Sequence, residues 1–315
     1  MGVNFPIKMA KQILRTKKVK LPDMEVQNTF KDNFLIVEYM NRFYNPTFIK
    51  WAGGKTQLLS QYAKLYPKEF NRYFEPFLGS GAVFFHIKQK FKPKQCFISD
   101  INEDLINTFK AVKEQPEELI KLLKEHKAKD NSKEYFNQQR ERFNTIKAGL
   151  EKAALFIYIN KTCFNGLYRV NAEGKFNVPF GKYPNPAILQ EEKIRQASKL
   201  LQDVNISESN FSDIVREVRE GDFIYFDPPY FPLSKTSSFT SYQKGIFLED
   251  EQRELARIFG ELHKKGCFVM LSNSDTPFIR QLYEGFNIVT VKARRAINCI
   301  GTKRGKINEI VVTNY

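Results

Sequence analysis

The chain has 315 residues, of which 42% are hydrophobic and 14% aromatic, and this composition excludes a disordered protein and favours a folded, globular one. Fifty lysines and arginines stand against 35 aspartates and glutamates, so the formal net charge is +15. A surplus of that size predicts a polyanionic partner, nucleic acid before a membrane surface; the alternative is a surface charged only for solubility.

No apolar run approaches the roughly 20 residues that cross a bilayer, and the first residues lack the compact apolar stretch of a secretion signal, so we expect a cytoplasmic protein. The cysteines and histidines are scattered in the chain: Cys96, Cys163, Cys267, Cys299, His86, His126 and His263. None of them forms a CxxC pair or has zinc-ligand spacing, so we expect reduced cysteines that serve packing, and no metal site.

Residues 1–45 form a basic N-terminal extension with six basic and no acidic residues before Asp23. Two interpretations stay open, a basic arm that adds phosphate contacts and a poorly ordered tail.

The stretch FIKWAGGKTQLL, residues 48–59, contains GGKT, which is spelled like the end of a phosphate-binding P-loop. A complete P-loop has a glycine six residues before its lysine, and here that position is Ile49. A β-branched residue takes a left-handed turn poorly, so the pattern disfavours a P-loop nucleotide hydrolase, which stays the alternative.

A strand–turn–helix–strand pattern follows, with strands ending at Glu75 and Asp100. In its turn, Gly79 and Gly81 match the first two glycines of a dinucleotide fingerprint, but Phe84 stands at the third position, which disfavours a full NAD site. Asp100 is placed to accept hydrogen bonds from ribose hydroxyls. The alternative for Asp100 is a helix N-cap.

The middle of the chain has a helical pattern, with helices predicted over 116–129 and 133–146. Strand patterns return at 222–226, 267–272, 287–291 and 307–313. This order predicts one α/β sheet built from both ends of the chain, with a mainly helical insertion between them.

Asp227-Pro228-Pro229-Tyr230 directly follows an apolar strand. The prolines stiffen the chain and place a carboxylate, a proline carbonyl and an aromatic face at one point. Two acceptors and a stacking surface suit the planar amino group of adenine, whose lone pair hydrogen bonds to Asp227 and the Pro228 carbonyl would localise. The alternative is an ordinary turn at the end of a strand.

Six motifs together resemble one family: FIKWAGGKTQLL, FEPFLGSGAVFF, SDINEDL, NKTCFNGLYRVNAEGKFNVPFGKY, DPPYFPLSKTSSFTSYQKGIF and SNSDT. In this order they closely resemble the Dam-type (D12 class, alpha group) DNA adenine-N6 methyltransferases. The resemblance implies a Rossmann-like S-adenosylmethionine-dependent methyltransferase sheet over residues 46–115 and 205–315. It also implies an inserted, mainly helical target-recognition domain over 116–204.

The resemblance implies S-adenosylmethionine as cofactor, without a metal, and GGKT then belongs to the cofactor site. The residues that the resemblance assigns to the cofactor are Trp51, Ala52, Lys55, Glu75, Pro76, Phe77, Gly79, Gly81, Asp100, Phe211 and Asp227. The catalytic residues are Asp227, Pro228 and Tyr230, which would hold a flipped adenine while N6 attacks the methyl group.

The resemblance also implies double-stranded DNA as the partner, with GATC as the favoured site. The residues assigned to DNA are Lys50, Phe164, Asn165, Leu167, Arg169, Pro179, Tyr183, Ser234, Phe239, Thr240, Tyr242 and Arg295. Phe164 stands where the family often has tyrosine, so stacking between bases is expected without a hydroxyl contact. Arg169 is expected to read guanine.

Several alternatives stay open: another DNA sequence, an RNA or cytosine-N4 methyltransferase, and a catalytically silent DNA-binding module. A cognate restriction endonuclease acting on the same site is a further partner that the resemblance allows.

Overall fold

A computed structural model describes residues 45–232, 247–294 and 306–315. The N-terminal arm therefore lies outside the described residues, apart from Asn45. So do five residues predicted to contact DNA: Ser234, Phe239, Thr240, Tyr242 and Arg295.

Seven strands form one sheet in the order β3-β2-β1-β4-β5-β7-β6. The strands are β1 Tyr73–Glu75, β2 Cys96–Asp100, β3 Val204–Glu208, β4 Phe223–Phe226, β5 Phe268–Ser274, β6 Asn287–Arg294 and β7 Lys306–Thr313. β1 to β5 are parallel, whereas β7 pairs antiparallel with both β5 and β6. The predicted Rossmann-like α/β class is confirmed. β3 was not predicted; it begins one residue before the predicted return of the chain to the sheet.

Nine α-helices accompany the sheet in the described part of the chain. They are α1 Leu59–Tyr62, α2 Ala82–Phe91, α3 Glu103–Glu114, α4 Pro116–Ala128, α5 Lys133–Thr145, α6 Leu150–Thr162, α7 Glu191–Leu201, α8 Glu249–Lys264 and α9 Pro277–Leu282. Short 3-10 turns lie at Lys55–Gln57, Phe164–Gly166 and Phe211–Arg216. The helices predicted at 116–129 and 133–146 correspond to α4 and α5, each ending one residue earlier than predicted.

Two hydrophobic cores lie on opposite faces of the sheet. Along β4, Phe223 and Tyr225 belong to one core, while Ile224 and Phe226 belong to the other. The first core includes apolar side chains of α2, α3 and α6, and the second includes those of α8 and α9. Because β4 is buried on both faces, it has a continuous apolar run, as central parallel strands do.

Helices α3 to α7 connect β2 to β3, and α6 lies at the centre of this helical segment. Ten consecutive residues of α6, from Ala153 to Thr162, are buried, so the helix is covered on all sides. The segment packs on the sheet, and residues Pro46–Tyr315 form one compact unit. The assignment of 116–204 as a separate recognition domain stays a prediction.

Candidate active site

The ends of β1, β2, β4 and β5 meet at one edge of the sheet, which we call the carboxyl edge. Parallel strands present their carboxyl ends together, and here the chain order reverses between β1 and β4, where α/β proteins bind ligands. Glu75 and Asp100 end β1 and β2, and Asp227 follows β4 directly. The sequence therefore places its candidate acids at one site.

Lys55 of the GGKT turn points at Asp227. Its Nζ lies 2.8 Å from Asp227 Oδ1 and donates to the Gly53 carbonyl at 2.5 Å. The lysine is 4% exposed and the aspartate 20%, so the ion pair is largely removed from water. No strand precedes the turn within 45–54, and the ammonium is paired with a carboxylate of the protein itself. The geometry is unlike a P-loop, in which a strand leads into the turn.

Asp227 Oδ1 also accepts a hydrogen bond from Ser272 Oγ at 2.8 Å, and Ser272 Oγ shares a further hydrogen bond of 2.8 Å with the Tyr225 hydroxyl. One carboxylate oxygen is thus held by Lys55 and Ser272. Within the described residues, Oδ2 of Asp227 has no donor. The aspartate is consequently fixed in orientation, with one of its two oxygens held.

Tyr230 lies beside this carboxylate. The ammonium of Lys55 is 4.6 Å from the centre of its ring, and its hydroxyl donates to Glu309 Oε2 on β7 at 2.8 Å. Burial raises the pKa of the Tyr230 hydroxyl well above its usual value, and the neighbouring Tyr62 and the carboxylates of Asp227 and Glu309 raise it further, so the hydroxyl remains a donor.

A cavity opens between the GGKT turn and the first βα turn. It is lined by Trp51, Ala52, Gly53, Gly54, Lys55, Glu75, Leu78, Gly79, Ser80, Ala82, Val83 and Asp227. Gly79 has a positive φ of 49°, and a Cβ there would lie 2.8 Å from Cδ1 of Trp51. Only glycine fits between the turn and the indole, which explains the first glycine of the motif.

Glu75 is 2% exposed at the floor of this cavity and accepts a hydrogen bond from the Tyr73 hydroxyl at 2.5 Å. Burial raises the pKa of its carboxyl well above the usual range, although the Tyr73 hydroxyl opposes the shift. The carboxyl is thus fixed at the junction with a second cavity, which Glu75 and Pro76 also line.

Asp100 accepts backbone N–H groups at both carboxylate oxygens: Gly79 N at 3.1 Å and Asn102 N at 3.1 Å. Burial raises the pKa of Asp100, and these hydrogen bonds oppose the rise. The N-cap of α3 is Asn102, whose side chain accepts from Leu105 N at 3.0 Å. The N-cap interpretation of Asp100 is therefore wrong, and Asp100 belongs to the carboxyl edge.

The second cavity lies beyond β1 and β2, against the chain that follows β3. Its lining includes Ser99, Ser209 and Asn210. Phe211, the next residue, stacks on Phe77 with ring centres 5.3 Å apart. Two of the three aromatic residues assigned to the cofactor therefore stand together at this end of the site.

Residues 163–183 form an irregular antiparallel hairpin, which we call the 163–183 segment. Backbone bridges pair Cys163 with Phe180 and Val170 with Phe176. Phe164 N donates to the Pro179 carbonyl at 2.8 Å, yet the Phe164 side chain is 51% exposed. The Arg169 side chain is also exposed, and its Nε donates to Asn177 Oδ1 at 2.8 Å. Pro179 is exposed, whereas Leu167 is half-buried against the core.

Lys50 lies against this segment although it is more than a hundred residues away in sequence. Asn160 of α6 accepts from Lys50 N and donates to the Lys50 carbonyl, both at 2.8 Å, and donates to the Gly166 carbonyl at 3.1 Å. The Lys50 ammonium lies 4.3 Å from the ring centre of Tyr183, whose hydroxyl accepts from Asn165 N at 3.0 Å. The structure thus brings Lys50, Asn165 and Tyr183 together, and their assignment to DNA contact stays a prediction.

Sequence reasoning missed several residues that hold the site: Ser272, Glu309, Gln252, Asn273 and Asn160. Ser272 and Asn273 lie in the SNSDT motif, but the motif itself predicts no role for either residue. Glu309 had a signal, since it is an acid at the start of the apolar run Ile310-Val311-Val312. Ile101 could also have been identified from the sequence, because it is an apolar residue beside Asp100. Its side chain is 72% exposed.

Among residues 45–232, 247–294 and 306–315, no group of three or more histidine, cysteine or acidic side chains is arranged to hold a metal ion. In the same part of the chain, no helix has the length and apolar character needed to cross a membrane.

Known proteins resemble this chain over most of its length. The model of the family "D12 class N6 adenine-specific DNA methyltransferase" matches residues 51–297. A relative from Methanocaldococcus jannaschii, "Type II methyltransferase M.MjaIII", is 46% identical over 284 residues, which are 85% of this chain and 98% of the relative. "Type II methyltransferase M1.LlaDCHI" of Lactococcus lactis subsp. cremoris is 45% identical over 87% of this chain and 97% of its own length. The "DNA adenine methylase" of Escherichia coli (strain K12) is 35% identical over 85% of this chain and 94% of its own length.

Proposed function

The chain belongs to the D12 class N6 adenine-specific DNA methyltransferases, and we propose that it transfers a methyl group from S-adenosylmethionine to N6 of a flipped adenine in double-stranded DNA, at GATC. The observation that carries the proposal is the state of Asp227. Its Oδ1 is held by Lys55 and Ser272, while Oδ2 has no donor among the described residues. A fixed carboxylate with one open oxygen, on the wall of a cavity, suits an amino group.

The two cavities at the carboxyl edge fit the cofactor. The GGKT cavity, with Trp51, Lys55 and Glu75, suits the methionine half. Asp100 and the Phe77–Phe211 pair, each next in sequence to a residue that lines the second cavity, suit the adenosine half. The close approach of Gly79 to Trp51 leaves a cradle that a Cβ would fill. When bound, S-adenosylmethionine would supply an electrophilic methyl group on its sulfonium. As the bond from the methyl carbon to N6 forms, its bond to sulfur would break, leaving S-adenosylhomocysteine, and the extra proton on N6 would pass to water.

The residues of the DPPY turn orient the target amine. The two N–H groups of the amine are donors, and their acceptors are Asp227 Oδ2 and the Pro228 carbonyl. These hydrogen bonds localise the nitrogen lone pair, and the carboxylate stabilises the positive charge that develops on N6. Tyr230 stacks on the base. Catalysis therefore depends on orientation and electrostatics, without a covalent enzyme intermediate.

The position of Asp227 supports base flipping. The carboxylate is 20% exposed and lies on the wall of a cavity, so an adenine stacked in a duplex does not reach it. Exposed Phe164 is suited to fill the gap left by the flipped base, and exposed Arg169 to bind guanine O6 and N7.

The names of the relatives support adenine in DNA as the substrate. The DNA sequence that is methylated is a separate part of the proposal. The Escherichia coli relative is named a DNA adenine methylase, and two others are named type II methyltransferases. The second candidate is therefore an adenine methyltransferase of another DNA sequence, which acts beside a cognate restriction endonuclease.

Transfer of labelled methyl groups to a panel of substrates tests the proposal. The panel contains a GATC duplex, the same duplex premethylated at adenine, scrambled duplexes and RNA of the same sequence. Label on the unmethylated GATC duplex alone supports GATC. Label on every adenine-containing duplex refutes the site specificity, and label on RNA alone refutes the DNA substrate.

A further inference from the structure

The backbone on both sides of Tyr230 is held by buried amide side chains. Gln252 Nε2 of α8 donates to the Pro229 carbonyl at 2.9 Å, and Asn273 Oδ1 of β5 accepts from Phe231 N at 3.2 Å. The two amides are joined, because Asn273 Nδ2 donates to Gln252 Oε1 at 2.9 Å. Gln252 and Asn273 are both fully buried. The path of the DPPY turn is thus fixed without any contribution from the tyrosine ring.

The ring itself has a separate support. The Tyr230 hydroxyl donates to Glu309 Oε2 at 2.8 Å, and Ser272 is a second polar group close to it. Glu309 lies on β7, opposite Ser274 of β5 and Val291 of β6. Tyr230 therefore reaches across β5 to the next strand of the sheet.

Glu309 is an unfavourable residue for this position unless it has a partner. The next three residues of β7 are fully buried and apolar. Burial raises the pKa of the Glu309 carboxyl, while Lys55 and the Tyr230 hydroxyl oppose that shift. A half-buried carboxyl in an apolar strand costs free energy, which hydrogen bonding offsets. Tyr230 is the partner that the structure provides.

We propose that Glu309 is a positioning residue for methyl transfer: it holds the Tyr230 hydroxyl and so sets the plane of the ring against which the flipped adenine stacks. The inference rests on the proposed function, because it assigns Tyr230 to the target base. Glu309 itself lines neither of the two cavities. Its effect passes through one hydrogen bond, so it should vanish when the hydroxyl is removed.

Four variants test this dependence: Glu309→Ala, Glu309→Gln, Tyr230→Phe and the double variant Glu309→Ala/Tyr230→Phe. We expect Glu309→Ala to lower kcat about 10- to 100-fold, the loss that a misplaced reacting group produces, with an unchanged KM for S-adenosylmethionine. Glu309→Gln keeps an acceptor for the hydroxyl and should stay within about 3-fold of the wild type, because the hydrogen bond and not the charge is required. The double variant should be no slower than Tyr230→Phe alone.

Asn308→Ala is the matched control, since Asn308 is the preceding residue of β7 and its exposed side chain lies on the other face of the strand. It should retain wild-type kcat. Circular dichroism and binding of S-adenosylmethionine show whether each variant is folded. Because Gln252 and Asn273 hold the turn, we expect Glu309→Ala to fold.

Fluorescence of 2-aminopurine at the target position gives a second readout that needs no turnover. A flipped 2-aminopurine stacked on Tyr230 is quenched, so emission should rise in Glu309→Ala and stay low in Glu309→Gln. Three results would overturn the inference: full activity of Glu309→Ala, equal losses in Glu309→Gln and Glu309→Ala, or multiplied losses in the double variant. If the wild type methylates no adenine, the proposed function fails. If the wild type methylates adenine but the variants give one of these three results, the inference alone fails.

Discussion

The carboxyl edge and the 163–183 segment are held together in opposite ways. At the carboxyl edge, side chains bind one another: Lys55 and Ser272 hold Asp227, and Glu309 holds Tyr230. In the 163–183 segment, backbone hydrogen bonds join the two arms and the side chains of Asn171 and Asn177 add others, while Phe164 extends its side chain into solvent. The contrast teaches that the side chains of the carboxyl edge are fixed by one another, whereas exposed side chains such as Phe164 project from a backbone that is fixed without them.

Loss of the open carboxylate oxygen should break the carboxyl edge most severely. Asp227→Asn replaces one oxygen with an amide that repels the amine N–H groups, so we expect methyl transfer to fall at least about 10²- to 10³-fold. Binding of S-adenosylmethionine, measured by calorimetry, should change far less. Asp227→Ala should also be inactive, but it leaves Lys55 buried without its partner, so the isosteric variant is the cleaner test.

The matched control is Asp203→Asn, because Asp203 is exposed between α7 and β3. It should behave as the wild type. An active Asp227→Asn enzyme would contradict the role of Asp227.

A methyl group added at Gly79 should weaken cofactor binding and leave the rest of the carboxyl edge unchanged. Gly79→Ala places Cβ 2.8 Å from the Trp51 ring and keeps a positive φ. Overpacking costs about 1–3 kcal/mol, so we expect S-adenosylmethionine affinity to fall about 10-fold or more. Gly285→Ala is the control, since Gly285 also has a positive φ but has open space around it. Equal S-adenosylmethionine affinities of Gly79→Ala and Gly285→Ala would show that the close approach of Gly79 to Trp51 is not needed for cofactor binding.

Removal of the exposed Arg169 side chain from the 163–183 segment should lower the preference of the protein between DNA sites and leave the methyl-transfer step unchanged. Arg169→Ala should reduce the preference for GATC over sites with a changed guanine by about 10- to 100-fold, the value of one bidentate contact. Turnover on the altered sites should stay nearly the same, as kcat/KM measured on paired duplexes would show. Arg195→Ala serves as control, because Arg195 pairs with Glu117 and is not part of the segment. A uniform loss on all duplexes would show a phosphate contact instead.

The smallest expected effect concerns Lys161, which lies behind the 163–183 segment. It is 5% exposed, and burial lowers its pKa to about 7, with the charges of Lys193 and Lys50 lowering it further. Between this folded-state value and the usual 10.5, the unfolded chain binds the proton more strongly, so stability rises with pH. Relative to Lys161→Met, the wild type should gain about 1 kcal/mol of unfolding free energy from pH 7 to pH 8.

Urea unfolding at both pH values measures this difference. A difference between wild type and variant that does not change with pH would show that Lys161 is charged in the folded protein at both values.

Local patterns predicted two helices of the insertion and the apolar strands, because these elements have clear periods. α4 and α5 each end within one residue of the predicted helices. β3 was missed because its sequence, Val-Asn-Ile-Ser-Glu, is short and polar, and its pairing with β2 is a tertiary contact.

The acids of the site were predictable because Glu75, Asp100 and Asp227 end or directly follow apolar strands. Their supports were not. Asn160 bonds to Lys50, 110 residues earlier, and Glu309 bonds to Tyr230, 79 residues earlier. Such partners depend on strand order, which no local pattern contains.

The most direct test of the account is the identity of the methylated base. DNA incubated with the wild-type protein and S-adenosylmethionine is digested to nucleosides and analysed by mass spectrometry, with Asp227→Asn in parallel. We expect N6-methyladenine from the wild type and almost none from Asp227→Asn. N4-methylcytosine in place of N6-methyladenine, or equal product from the two proteins, would contradict it.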